Sequence, residues 1–164
     1  MAQYHLPDGS IKEFPAVVDG ATLAASIGAG LAKAALAITA NGQALDLNQS
    51  LPDGAKVSII TDKSPEGVAI IRHSIAAQVL ARAVKDLYPQ AKLAIGPVID
   101  HGFYYDIDFP NPPSSEDLSK IEARMREIVA SKAKIIRKNF SRAEALAYFA
   151  NKGESYKQEI INDT

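Results

Sequence analysis

The sequence lacks cysteine and tryptophan altogether, and only 7% of its 164 residues are aromatic. Without cysteine, a disulfide framework and a thiolate metal site are both excluded. The first residues, MAQYHLPDG, show neither the basic nor the apolar segment of a secretory signal, and no stretch approaches the roughly 18 apolar residues of a membrane span. These absences favour a cytoplasmic protein with an ordinary apolar core.

An excess of either charge is also lacking, because 18 Lys and Arg residues face 19 Asp and Glu residues. A chain that binds RNA by itself is expected to carry a strong basic field. Any RNA contact should therefore be local or shared with other parts. The densest basic stretch consists of Arg124, Arg126, Lys132, Lys134, Arg137, Lys138 and Arg142. It is equally compatible with binding RNA phosphates and with a solvated helix face.

The first sixty residues alternate short apolar runs with turn signals. The run Pro7-Asp8-Gly9 predicts one hairpin, and Asn41-Gly42 is the strongest hairpin signal in the chain. A helix is predicted over 21–27, with strands over 36–39 and 57–60. The resulting order, β-β-α-β-β-β, fits a ubiquitin-like β-grasp.

The polar run DKSPEG, residues 62–67, is the best linker candidate, and a long helical pattern follows it. Its apolar positions are Val68, Ile71, Ile75, Val79, Leu80, Val84 and Leu87. Later predictions are strands over 92–99, 103–109, 134–139 and 157–161, and helices capped by Ser114 or Ser115 and by Ser141. We therefore predict two α+β domains that fold independently, at residues 1–62 and 64–164.

Five phrases occur together in one protein family, in the same order and at compatible spacing. They are LPDGS, SIGAGLAKAALA with NGQALDL, IIRHSIA, AIGPVIDHGFYYDID and FANKGESYKQEII. The chain thus resembles the N-terminal region of threonyl-tRNA synthetases, which have a β-grasp (TGS) domain followed by an editing domain. Alanyl-tRNA synthetases and freestanding deacylases share the editing domain, but the β-grasp leading into IIRHS favours the threonyl family.

The resemblance implies that the parent protein is a class II threonine–tRNA ligase. Serine lacks one methyl group of threonine, which is worth only ~1–3 kcal/mol of discrimination. The family therefore hydrolyses mischarged seryl-tRNA(Thr) at a second site, and this region would belong to that proofreading part. Its expected fold is α+β, with a long helix on an antiparallel sheet and a truncated C-terminus.

The implied partners are the acceptor end of tRNA(Thr) and a seryl-adenosine ester. No aminoacylation core is present, so this chain by itself is expected to be catalytically incomplete. ATP, Mg and Zn would belong to the missing core of the parent, as would a homodimer interface. We expect no cofactor, no metal and no membrane partner for the fragment.

The resemblance points to His73 and Lys157 as catalytic residues. His73, early on the long helix, can relay a proton near neutral pH, and Lys157 can hold an oxyanion or a ribose-phosphate oxygen. The family has a second histidine four residues after the first, where this chain has Ala77. Without the family, His73 would be read as a structural histidine and Lys157 as a surface charge.

The substrate-binding candidates are Tyr105, Gly96 and Pro97. Neighbours on a strand point to opposite faces, so only one of the two adjacent tyrosines should line a pocket, and the family favours Tyr105 over Tyr104. A core aromatic pair is the competing interpretation. Gly96-Pro97 would allow close approach of substrate or form a bend. Asp100 and His101 are more simply explained as turn-formers.

Two other functions remain open. In one, the chain is a non-catalytic tRNA-binding or regulatory module, and Ala77 marks a dead editing site. In the other, it is a freestanding trans-editing deacylase that needs residues beyond Thr164. Hydrolysis of seryl-tRNA distinguishes an enzyme from a binding module.

Overall fold

The computed structural model describes all 164 residues and divides into two compact units, Met1–Ile71 and Arg72–Thr164. The division falls within a helix, later than the boundary predicted at residues 62–64. The first helical turn stays with the first unit because Gly67 packs directly on the backbone at Thr61. A Cβ added to Gly67 would lie 1.8 Å from the Thr61 carbonyl oxygen, so only glycine fits there.

The first unit has the predicted β-grasp order with one additional helix. Its strands are β1 (Ala2–His5), β2 (Ile11–Phe14), β3 (Ala35–Ala40), β4 (Gln43–Leu45) and β5 (Val57–Thr61), and its helices are α1 (Gly20–Ile27) and α2 (Ala29–Ala34). β1 pairs with β2, and β3 lies between β4 and β5, all antiparallel. A parallel bridge between His5 and Lys56 joins the two sheets. The sequence pattern missed α2.

Both predicted hairpin turns of the first unit are confirmed. Asn41 and Gly42 have φ values of 51° and 84°, the two consecutive positive angles that a tight two-residue hairpin needs. The earlier turn has the Asp8 carboxylate accepting hydrogen bonds from the Ser10 amide and hydroxyl, at 2.9 and 2.6 Å. These bonds lower the pKa of Asp8, chiefly through the Ser10 hydroxyl.

The core of the first unit is closed around Tyr4 and Ile38, neither of which is exposed to solvent. The Tyr4 hydroxyl accepts a hydrogen bond from the Val18 amide at 3.1 Å and donates to the Leu51 carbonyl at 3.4 Å. The buried hydroxyl therefore has both hydrogen-bond partners, and the desolvation penalty of an unpaired polar group is avoided. The buried residues are Ala2, Tyr4, Leu23, Ile38, Ala40, Leu51, Ala55 and Val57.

The rest of the chain is mainly helical, with four two-residue strands. In chain order it forms α3 (Pro65–Ser74), a π-helical segment (Ile75–Leu80), α4 (Ala81–Leu87), β6 (Lys92–Leu93), β7 (Val98–Ile99), β8 (Gly102–Phe103), β9 (Ile107–Asp108), α5 (Ser115–Ala130), α6 (Arg142–Asn151) and α7 (Ser155–Asp163). The antiparallel pairs are β6 with β9 and β7 with β8.

Two predicted strands are wrong. Residues 134–139 form no regular element, and residues 157–161 lie in α7. Short β-branched runs such as Ile160-Ile161 are ambiguous by pattern alone, and tertiary packing of α7 against α6 and β6 decides for the helix. The predicted caps are confirmed: Ser114 and Ser141 each form a capping box, with Asp117 and Glu144 as partners.

The helical stretch Pro65–Leu87 is 23 residues long and meets the length and composition criteria for a membrane span. The sequence pattern had predicted no such span. One such helix is weak evidence, because a core helix of a soluble protein meets the same criteria. Its buried side includes Ala76, Ala81 and Val84, and Val84 packs in the same core cluster as Ile121 of α5. Only 28% of its most apolar window is buried, so most of this stretch is not enclosed by the rest of the chain.

The cap of α5 is also tied to the end of α4. The Tyr88 hydroxyl donates to the Asp117 carboxylate at 2.8 Å, and Arg124 donates to Asp86 at 2.8 Å. The Ser114 hydroxyl and amide, followed by Tyr88, lower the pKa of Asp117 to about 2. The carboxylate therefore stays charged at neutral pH and keeps both helix ends joined.

We predict that Ile38→Ala lowers the free energy of unfolding of the first unit by about 2–5 kcal/mol, because the lost side chain leaves a cavity in a closed core. Ile11→Ala is the matched control, since Ile11 is 50% exposed, and it should cost about 1 kcal/mol or less. Urea unfolding of the intact chain, followed through the β3 and β5 amide signals, measures both. Equal losses would contradict the assignment of this core.

Candidate functional site

Lys157 lies in the first turn of α7 and reaches across to the hairpin of residues 92–108. Its Nζ atom donates to the Ala94 carbonyl at 2.6 Å and lies 5.9 Å from the centroid of the Tyr105 ring. The side chain is half-buried. Burial lowers the pKa of Lys157, and the Glu154 carboxylate acts in the opposite direction. The ammonium group thus has one donor engaged and two left for another acceptor.

Tyr105 lies next to Lys157, and Gly96 makes room for its ring. A Cβ at Gly96 would lie 2.6 Å from a ring carbon of Tyr105, so the ring occupies the space that a side chain would take. The neighbouring Tyr104 ring is 65% exposed. Burial, and to a smaller extent Glu154, raise the pKa of Tyr105. Pro97 is exposed and contributes only its carbonyl, which accepts from the Tyr104 amide at 3.0 Å.

The sequence did not predict an ion pair beside Lys157, in which the carboxylate is buried and the Lys85 side chain is 30% exposed. Glu154, only 5% exposed, pairs with Lys85 of α4 at 2.7 Å, and its other oxygen accepts from the Leu93 amide at 3.2 Å. The helical pattern made Lys85 one polar position among several. Glu154 stands inside GESYK, three residues before the strand predicted at 157–161, and nothing in the pattern indicated its burial.

A cleft of about 420 Å³ opens beside this ion pair. Three lysines and one carboxylate contribute to its wall, together with two aromatic rings of α6. Since the carboxylate is already paired, the cleft has an excess of positive charge that suits an anionic ligand. Its lining residues are Lys85, Pro89, Leu93, Tyr148, Phe149, Lys152, Glu154 and Lys157.

His73 is exposed, makes no hydrogen bond or ion pair, and does not line the cleft of Lys157. Its neighbour Arg72 donates to the carbonyls of Ile99 and Asp100 at 3.0 and 2.7 Å, which holds the last turn of α3 at the hairpin turn. Asp100 and His101 form that turn, as predicted, and both are exposed. The structure therefore brings together Lys157, Tyr105 and Gly96, and leaves His73 apart from them.

Ala77 lies in the π-helical segment, where the regular i, i+4 spacing does not hold. The Ala81 amide bonds to the Ala76 carbonyl, five residues back. The α-helical spacing expected between residues 73 and 77 is therefore altered, because a π turn is wider. The structure contains no group of three or more His, Cys, Asp or Glu placed to hold a metal ion.

The basic stretch is partly neutralised by internal contacts. Arg124 pairs with Asp86 and Glu127, and Arg126 pairs with Glu122. Lys132, Lys134 and Lys138 are exposed in the irregular segment between α5 and α6. The stretch is thus not one continuous helix face, and only its irregular part presents unpaired lysines.

The chain is similar to known proteins over nearly its whole length. Residues 3–61 match the TGS domain family model. The chain is 54% identical over 158 residues to a threonine--tRNA ligase of Pelobacter propionicus, 52% over 161 residues to that of Methylobacillus flagellatus, and 49% over 162 residues to that of Magnetococcus marinus. Each match covers 96–98% of this chain but 25% of the relative. The chain thus spans about a quarter of the length of these relatives.

We predict that Gly96→Ala displaces the Tyr105 ring from Lys157 and costs about 1–3 kcal/mol of stability, because the added methyl overlaps the ring. Gly30→Ala is the control, since a Cβ there meets no atom within 4 Å. Ring chemical shifts of Tyr105 and thermal unfolding measure the two effects. A Gly96→Ala chain with unchanged Tyr105 shifts would contradict the close packing.

Proposed function

We propose that this chain, which carries a TGS domain and is about half identical to the N-terminal quarter of threonine--tRNA ligases, is the N-terminal region of such a ligase. We further propose that its second unit takes part in hydrolysis of mischarged seryl-tRNA(Thr). The observation that carries the second step is the half-buried Lys157 ammonium, held on the hairpin beside Tyr105.

Lys157 would stabilise the negative charge that develops during ester hydrolysis. Attack of water on the seryl ester places a negative charge on the carbonyl oxygen, and the bond to the ribose oxygen then breaks. A charged donor already fixed in a partly desolvated position stabilises that charge without first reorganising. The bond from Lys157 to the Ala94 carbonyl supplies such fixation, and its two remaining N–H groups can face the ester.

Tyr105 and Gly96 would form the surface against which the terminal adenosine binds. A tyrosine ring offers an apolar face for a base and a hydroxyl for a hydrogen bond. Gly96 keeps the backbone of the first hairpin strand flat against that ring. Close approach of the ligand to this backbone is then possible without a side chain in the way.

His73 would move a proton between water and the leaving ribose oxygen. Its exposed imidazole has no hydrogen bond or ion pair within the chain, so both ring nitrogens are open to water or substrate. The Arg72 contacts hold this part of the helix near the hairpin turn, which supports a location beside a substrate bound along the hairpin. Ala77 can supply no second imidazole.

The whole protein would then join threonine to tRNA(Thr) with ATP, in the cytoplasm, and this chain would contact the acceptor end. Magnesium, zinc and dimer contacts would belong to other parts of that protein. The exposed lysines of the irregular segment, Lys132, Lys134 and Lys138, supply donors for RNA phosphates. The weak overall charge accords with a shared RNA interface.

One observation favours a second candidate function, a tRNA-binding module without catalysis. Position 77 is alanine, and the exposed His73 is not part of the cleft of Lys157. In that case Lys157 and Tyr105 would bind the terminal nucleotide, and no residue would transfer the proton that ester hydrolysis requires.

We predict that His73→Ala lowers the rate of seryl-tRNA(Thr) hydrolysis by the intact ligase about 10²–10⁴-fold, and Lys157→Met by about 10²–10³-fold. Lys63→Met is the control, because Lys63 is an exposed lysine outside the second unit. A protein that binds tRNA but does not hydrolyse seryl-tRNA would establish the binding module instead.

We also predict that Ala77→His raises the rate of seryl-tRNA hydrolysis, because it adds a second proton-carrying group one helical turn from His73. The effect is measured in the same assay, with Ala77→Gln as a control for side-chain size. An unchanged rate would mean that a second imidazole at this position adds nothing, as the wider π turn would explain.

A further inference from the structure

The Lys85–Glu154 ion pair joins three elements of the second unit that are distant in sequence. Lys85 comes from α4, Glu154 stands directly before α7, and the Leu93 amide that bonds Glu154 belongs to β6. The pair is thus the point at which the helix carrying Lys157 is attached to the hairpin.

Both members of the pair have their polar groups fully engaged. The Lys85 Nζ atom bonds the carbonyls of Pro89 and Ala91 at 2.9 and 2.8 Å in addition to Glu154, which uses all three of its donors. One oxygen of Glu154 faces Lys85 and the other faces the Leu93 amide. Neither residue has a free group for a ligand, so any role in binding or catalysis must act through another residue.

That other residue is Lys157. Lys157 follows Glu154 by three positions, so the two side chains are neighbours at the start of α7. Both line the same cleft. The Glu154 carboxylate also acts to raise the pKa of both Lys157 and Tyr105. The Lys157 Nζ atom lies 5.9 Å from the centroid of the Tyr105 ring.

We propose that Lys85 and Glu154 are positioning residues for Lys157. Their ion pair holds the first turn of α7 against the hairpin and keeps one negative charge beside the Lys157 ammonium. A buried ion pair is costly to desolvate and is often replaceable by apolar residues without loss of stability. A role for Lys157 in catalysis rests on the proposed function, whereas the effect of the pair on Lys157 does not.

Three other charged side chains near α7 have partners away from Lys157. Lys92 of β6 lies over the ring of Tyr156, 5.9 Å from its centroid, and Asp108 of β9 accepts from the Tyr156 hydroxyl at 3.0 Å. Lys152 lies over the ring of Tyr148 at 4.7 Å. Glu154 is therefore the negative charge whose removal should affect Lys157 most.

The test measures the pKa of Lys157 directly by NMR titration of lysine Cε and Nζ signals in the uniformly labelled 164-residue chain. Glu154→Gln removes the negative charge and leaves Lys85 unpaired, so the pKa of Lys157 should fall. Lys85→Gln leaves Glu154 without its partner, so the pKa of Lys157 should rise. Opposite shifts are the expected result.

The controls separate this role from a merely structural one. Glu122→Gln breaks the exposed pair with Arg126 and should leave the pKa of Lys157 unchanged. Unfolding would raise the pKa of Lys157 toward its ordinary value in both variants, and amide spectra report whether each is folded. The proposal would be overturned if both folded variants shift the pKa of Lys157 in the same direction, or if neither changes it.

If Glu154→Gln does not fold, the double variant Lys85→Gln/Glu154→Gln provides the comparison, because it leaves no unpaired buried charge. Its Lys157 must then have a lower pKa than in Lys85→Gln alone, and an equal or higher value overturns the proposal. The outcome is independent of the hydrolysis assay. If the proposed function is wrong, Lys157→Met will leave the rate of seryl-tRNA hydrolysis unchanged, whatever the NMR titration shows.

Discussion

The attachment of α7 to the hairpin through Lys85 and Glu154 is the constraint on which the candidate site depends. The irregular stretch before α6 and the short connection between α6 and α7 do not dictate where Lys157 lies. A carboxylate with both oxygens engaged, one by a lysine that is itself saturated, leaves few alternative positions for the start of α7. Lys157 then reaches the Ala94 carbonyl because its helix begins in that place.

The hairpin of residues 92–108 serves as a common frame for two groups of functional candidates. Lys157 bonds it at Ala94, and Tyr105 and Gly96 pack on each other across it. Arg72 bonds its turn and holds the helix that carries His73.

Local signals in the sequence predicted the local structure well. The turn at Asn41-Gly42 and the helix caps at Ser114 and Ser141 depend on contacts within four residues, so residue type alone decides them. The predictions failed where packing outweighs local preference. The run 157–161 is helical because it packs on α6 and β6. The missed helix α2 is a different case, since its alanines favour a helix locally and none of its residues is buried.

The sequence by itself determined the family resemblance, the β-grasp order of the first unit, and the residue types available for chemistry, including the loss of an imidazole at Ala77. Each follows from the order of residues or from contacts between near neighbours. Only the tertiary structure decided that Lys157 faces Tyr105, that Glu154 is buried against Lys85, and that Ala77 lies in a π turn. The first two features depend on contacts between residues up to about seventy positions apart, such as Lys85 and Glu154, and no local pattern encodes which distant partner a side chain will meet.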